Sequence, residues 1–181
     1  MSFMEALNTW AEKRADRRTG RWIARAESIS GHLPRLRTDS RVRVLIRIYV
    51  GSLVAGLLTA IGQIFWAPFL FAWIPFTLIV CTSWTMLRTV INSRDVAPDS
   101  ELDEYEAKVL RTWQVAAYGW MTLIILTVSI FMVFVAVFNP DSLDRWVYTG
   151  GLLTILGMMS ATALPTIAYA TTFGPVPPPN N

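Results

Sequence analysis

The chain has 181 residues, 53% of them hydrophobic and only 16% charged, with a formal net charge of +3. A soluble domain carries about 25% charged residues; here none of Asp, Glu, Lys, Arg or His falls between Ile48 and Leu87, between Thr112 and Val137, or from Trp146 onward. Uncharged apolar runs of about 20 residues match the roughly 30 Å hydrocarbon core when helical, so the composition excludes an ordinary soluble domain and predicts an all-α integral membrane protein. The single cysteine, Cys81, excludes a disulfide framework within the chain.

Residues 1–40 read as a cytoplasmic, basic amphipathic segment. Phe3, Leu7 and Trp10 recur at helical spacing, as do Trp22, Ala26 and Ile29, with Lys13, Arg14, Arg17, Arg18, Arg21 and Arg25 between them. A basic helix with Trp and Leu on its other face suits an anionic membrane surface. A protein partner is the other fit; nucleic acid is set aside because lipid is the nearer anion beside a bilayer. The candidate contacts to lipid or partner are therefore Trp10, Arg14, Arg17, Arg18, Arg21, Trp22 and Arg25. His32 falls in a loop before Pro34 and is expected to face solvent, and Asp39 or Ser40 is expected to cap the next helix.

Residues 41–173 read as a four-span membrane domain, with spans at about 43–66, 68–90, 113–138 and 146–173. Trp66-Ala67-Pro68 and Asn139-Pro140-Asp141-Ser142 leave little chain between paired spans, which predicts two tight antiparallel hairpins. Pro75 and Pro165 are expected to kink their helices. Of the 16 basic residues, Arg145 alone falls in a short hairpin loop. The charge bias therefore puts both termini and the loop 91–112 in the cytoplasm of a bacterial inner membrane. Small residues at four-residue spacing, Gly51 with Ala55, Gly56 with Ala60 and Gly157 with Ala161, let helix backbones approach closely, within the bundle or at a partner face.

The loop 91–112 holds the densest charge. Pro98 to Trp113 carries Asp99, Glu101, Asp103, Glu104 and Glu106, with Asp95 just upstream. Asp99 or Ser100 is placed as a helix cap, with Ser100 and Asp103 as a short capping box. Glu104 and Lys108 have the spacing of an ion pair. Leu102, Tyr105, Val109 and Trp113 form an apolar stripe. One helix is thus expected from about Glu101 to Phe138, extending the third span into the cytoplasm. Glu101, Asp103, Glu104 and Tyr105 are its candidate partner or lipid contacts. A calcium loop would need Gly where Glu104 stands and Glu where Leu110 stands. A di-iron bundle needs Glu-x-x-His pairs, and His32 is the lone histidine. No metal and no cofactor is expected, and Cys81 reads as a packing residue. Residues 174–181 form a Pro-rich cytoplasmic tail expected in extended polyproline II conformation.

Proton pumps and coupled transporters place Asp, Glu, His or Lys within their spans, and these spans have none at depth. The expectation is a non-enzyme that binds other integral membrane subunits. The 20.4 kDa size, the segment KRADRRTGRWIAR, the paired spans and the lead DSELDEYEAKVLR together make an outline. It resembles the small accessory subunits of actinobacterial respiratory supercomplexes, which join a cytochrome bc complex to a cytochrome oxidase. That resemblance implies a non-catalytic role in stability or assembly and carries over no catalytic residue. The alternative is a regulatory or immunity-type membrane protein that senses envelope stress or a toxin.

Overall fold

The computed structural model describes residues 36–175, together with residues 10, 17, 19–24, 26 and 28 of the N-terminal segment. Arg14, Arg18, Arg25, His32 and the tail beyond residue 175 lie outside the described residues, as does the course of the segment 1–35 as a whole. Within 36–175 the chain forms four α-helices: α1 (Asp39–Phe65), α2 (Trp73–Val90), α3 (Glu104–Phe138) and α4 (Leu143–Phe173). Three of them, α1, α3 and α4, are long and apolar enough to cross a membrane. The remaining helix, α2, has 18 residues and carries Arg88 in its last turn. At about 1.5 Å per residue it reaches roughly 27 Å.

Local chemistry sets several boundaries away from their expected places. Thr38, not Asp39 or Ser40, occupies the cap position of α1, and its carbonyl accepts from the Arg41 and Val42 amides at 3.0 Å. After Phe65 the chain does not enter α2 directly. A 3-10 turn, Ala67–Phe71, intervenes, with Pro68 near its start. Pro75 consequently falls in the first turn of α2. An amide there has no partner within the helix, so its loss to proline breaks nothing. The expected kink has no cause at that position. Pro165, by contrast, lies inside α4.

The end of α2 is a Schellman turn. Asn92 and Ser93 both adopt positive φ, 51° and 53°. The Ser93 amide reaches back to the Arg88 carbonyl at 2.8 Å, and the Asn92 amide to that of Thr89 at 3.2 Å. Asparagine tolerates this left-handed conformation better than most residues. At the far end of the molecule Asn139 closes α3 with the simpler left-handed cap, φ 40°, its amide on the Val135 carbonyl at 3.0 Å.

The helices do not form a closed ring of four. Packing is densest for α1 on α2 and for α3 on α4, and α1 also lies along α4. Three apolar clusters stack along the axis. Ala60, Leu152 and Leu156 pack near the α1–α2 turn. Tyr49, Val80 and Ala163 meet at the middle. Val42, Leu87, Val90, Ile91, Leu110, Tyr169 and Ala170 gather at the opposite end. Through the first two clusters the core belongs to α1, α2 and α4; α3 enters only at the third, through Leu110. Of its 35 residues just Leu110 and Val135 are buried, against ten of 31 in α4.

The small residues divide accordingly. Ala60 and Ala161 are fully buried. A Cβ on Gly56 would stand 3.1 Å from Leu156, so α1 and α4 approach closely there. Gly157 serves the other face of α4, where a Cβ would overlap Cγ2 of Ile124 on α3. Gly150, not singled out in the sequence, is equally tight against Met132. Ala55 is half-buried. Gly51 faces open space, and a methyl group there would meet nothing within 4 Å. Gly157→Ala should destabilise the α3–α4 contact by about 1–3 kcal/mol, because Cγ2 of a β-branched side chain cannot swing aside. Gly51→Ala should be neutral or stabilising by up to about 1 kcal/mol. Thermal unfolding in detergent, followed by circular dichroism, separates the two.

Candidate functional site

The densest polar chemistry of the molecule lies where the segment between α2 and α3 folds across the end of α4. Its first anchor is Asp95, on the 3-10 turn Arg94–Val96. Its carboxylate is 5% exposed and sits 3.0 Å from Nε of Arg88. Thr166 of α4 donates its hydroxyl to Asp95 Oδ2 at 2.7 Å, and Trp84 donates its indole N–H to that hydroxyl at 3.3 Å. Indole, hydroxyl and carboxylate thus form a directed chain, each bond polarising the next. The Arg88 guanidinium also stands over the Trp84 ring at 5.0 Å, a favourable cation–π geometry. A buried carboxylate is costly unless paired and hydrogen-bonded, and here it is both.

The second anchor is Glu106. Asp103 accepts the Glu106 amide at 2.7 Å while Glu106 Oε2 accepts the Asp103 amide at 3.2 Å, a complete capping box at the start of α3. The sequence reading places the cap at Asp99 or Ser100, but those positions belong to a separate 3-10 turn, Asp99–Glu101, and Asp103 has its glutamate three residues on. Glu106 does more than cap. Its Oε1 accepts from the Tyr169 hydroxyl of α4, and its Oε2 from Arg94 Nη1 at 3.3 Å. Arg94 in turn donates to the Glu101 carbonyl at 2.9 Å. One glutamate therefore ties together the start of α3, the loop and the end of α4.

A third contact fixes the Schellman turn from outside. Arg37, largely buried, donates Nη2 to Asn92 Oδ1 at 2.9 Å. Burial lowers the Arg37 pKa, yet a guanidinium stays charged at neutral pH. Trp22 of the N-terminal segment is half-buried and donates its indole N–H to the Ser93 carbonyl at 3.1 Å.

The six carboxylates thus part into two sets. Asp95 and Glu106 turn inward and bind α4. Asp99, Glu101, Asp103 and Glu104 remain at the surface, with Asp99 in an exposed pair with Arg111 at 2.9 Å. The expected Glu104–Lys108 pair is not formed, although both line one shallow pocket with Asp99 and Arg111. The expected stripe is rotated by one position. Leu102 packs on the core, but Tyr105 is 61% exposed and meets Phe173 edge-on, and Trp113 is also exposed. The buried face runs through Leu102, Glu106 and Leu110. The four candidate contacts Glu101, Asp103, Glu104 and Tyr105 are each exposed, while the residues that hold the segment to α4 are Arg88, Asp95, Glu106, Thr166 and Tyr169. The Asp103-x-x-Glu106 spacing could have revealed one of them; nothing in the spacing of Arg88, Asp95 and Thr166 signals the others. On the N-terminal segment, Trp10 and Arg17 are exposed, and Arg21 donates to the Arg17 carbonyl at 3.1 Å.

Comparison with protein-family models, with curated proteins and with solved structures gives no match to this chain. The arrangement at the end of α4 is a clasp, and its strength can be measured. Asp95→Ala leaves Arg88 and Thr166 without their acceptor and should cost about 3 kcal/mol, near the lower end for breaking a buried pair because Arg88 keeps partial solvent access. Asp99→Ala removes an exposed pair and should cost under about 1 kcal/mol. Combining Asp95→Ala with Arg88→Ala should cost clearly less than the sum of the single changes, by thermal or denaturant unfolding in micelles.

Proposed function

With no family from which to transfer a role, we propose that this chain is a non-catalytic accessory subunit that stabilises or assembles a larger membrane complex. The single observation that carries the reading is α3. It is among the most apolar helices of the chain, yet only Leu110 and Val135 are buried. Val115, Leu126, Ile130, Val133 and Phe134 are all about half exposed or more. In hydrocarbon such a face is at no disadvantage against lipid, and close helix packing there comes from shape and hydrogen bonding rather than water exclusion. A long span attached along one side leaves the other sides for neighbouring subunits.

On this reading all four helices span the bilayer, α2 together with the 3-10 turn before it, as two antiparallel hairpins. The clasped loop, both termini and the basic segment face the cytoplasm, as the distribution of Lys and Arg favours. Residues Arg17, Arg21 and Trp22 then lie beside anionic headgroups, and Glu101, Asp103, Glu104 and Tyr105 present an exposed, mostly acidic set to a partner or to lipid headgroups. The respiratory assembly suggested by the outline of the sequence is the first complex to test. The regulatory alternative draws on the same exposed acidic patch, which would serve as its signalling surface.

A photo-crosslinking residue at Val133 or Phe134 should capture a distinct membrane subunit in native membranes, and the adduct should co-purify in mild detergent with cytochrome-containing complexes. The same residue at the buried position Val135 should capture α4 of its own chain or nothing. A chain that migrates alone beside intact respiratory complexes refutes the respiratory assignment. A chain that crosslinks only to lipid refutes the accessory role.

A further inference from the structure

We propose that the shallow pocket on the outer face of α3 is a headgroup site for a phospholipid that carries a primary amine, of the phosphatidylethanolamine class. The pocket, about 690 Å³, is lined by Asp99, Glu104, Lys108 and Arg111, with Thr112 and Val115 at its lower edge. Its two cations and two anions balance. Arg111 and Asp99 hold each other at 2.9 Å. Among the described residues, Lys108 and Glu104 form no ion pair, so the site presents one free ammonium and one free carboxylate one helical turn apart.

The position matters as much as the charge. Arg111 is the last ionisable charge on α3 before the uncharged run that continues past Phe138. Below it, Val115, Gly119, Thr122 and Leu126 follow at spacings of four, three and four, which keeps them on one face. All four are exposed, and nothing lies within 4 Å of a methyl placed on Gly119. A headgroup held at Lys108 and Glu104 thus has a smooth apolar track directly beneath it for an acyl chain, provided α3 spans the bilayer as proposed above.

Charge complementarity selects the headgroup. A phosphate diester takes Lys108, and the amine of ethanolamine takes Glu104. An anionic glycerol headgroup offers Glu104 only neutral hydroxyl donors and no positive charge to offset the repulsion of its own phosphate. Choline has no N–H to donate, and quaternary ammonium groups are held best by aromatic faces, none of which lines this pocket.

The test uses the full chain in detergent, titrated with phosphatidylethanolamine, phosphatidylglycerol and phosphatidylcholine of identical acyl chains, with retained lipid read by native mass spectrometry. The ethanolamine lipid should be retained about two- to five-fold better than either other lipid, the range of an exposed ion pair. Glu104→Gln should abolish the preference over phosphatidylglycerol. Lys108→Gln should weaken retention of both phosphatidylethanolamine and phosphatidylglycerol. Equal retention of the three lipids by the unaltered chain overturns the proposal, as does a preference that survives Glu104→Gln. The measurement needs no partner protein, so a failed co-purification leaves it intact, and failure here leaves the accessory role standing.

Discussion

The structure depends on α4 as the common partner in polar contacts. Within lipid, two apolar helices gain no water-exclusion energy by meeting, so they must be joined by close backbone approach and by hydrogen bonds. In this chain those bonds converge. Tyr49 of α1 donates to the Met159 carbonyl at 2.7 Å, and Gln63 of α1 to Thr149 at 2.7 Å. Trp73 of α2 reaches Tyr148 at 2.6 Å, and Trp120 of α3 reaches Ser160 at 2.9 Å. Asp95 and Glu106 add Thr166 and Tyr169. The other three helices are each pinned to α4 by at least one such bond, at positions distributed along its length.

This arrangement explains why α4 shows no single apolar face. It is surrounded, with α1 and α2 on one side and α3 on the other, and small residues serve both sides: Ala161 and Ala163 are buried, and Gly150 and Gly157 admit α3. A helix in contact around much of its circumference needs small and hydroxylated residues at many angles rather than a stripe. Gln63 shows the cost of polarity at such a site. Its Nε2 is bonded to Thr149, but Oε1 is buried with no partner among the described residues.

The clasp does a different kind of work. Three apolar clusters, with the contacts of Met132 and Ile124 on Gly150 and Gly157, pack the helices together, but they leave open where the charged segment between α2 and α3 rests. Two inward carboxylates decide it. Because each is bonded to α4 as well as to an arginine of its own region, loop, α2 and α3 share one frame. The acids Glu101, Asp103 and Glu104 stay at the surface beside this anchored segment.

Much of this was legible in the residues themselves. Runs free of charge marked the apolar helices, because ionisable groups are expensive in hydrocarbon. Four-residue spacing nominated Gly51, Ala55, Gly56, Ala60, Gly157 and Ala161 for helix contacts; in the fold Gly56 lies against Leu156 and Gly157 against Ile124. The all-helical class followed from the length of the uncharged runs, and the helix leading into the third run from its charge and apolar spacing. What spacing could not distinguish was Gly51 from Gly56, since which side of α1 meets α4 depends on how the helices are arranged in space. Nor could composition divide six neighbouring carboxylates into two that turn inward and four that do not. Asp95 becomes a buried anchor only because Arg88, seven residues earlier, and Thr166, 71 residues later, are brought to it by the fold. The chain alone determined where the molecule is greasy and where it is charged, through the cost of desolvating each side chain. The tertiary structure alone decided which charges are buried, because a charge can leave water only where distant partners converge to meet it.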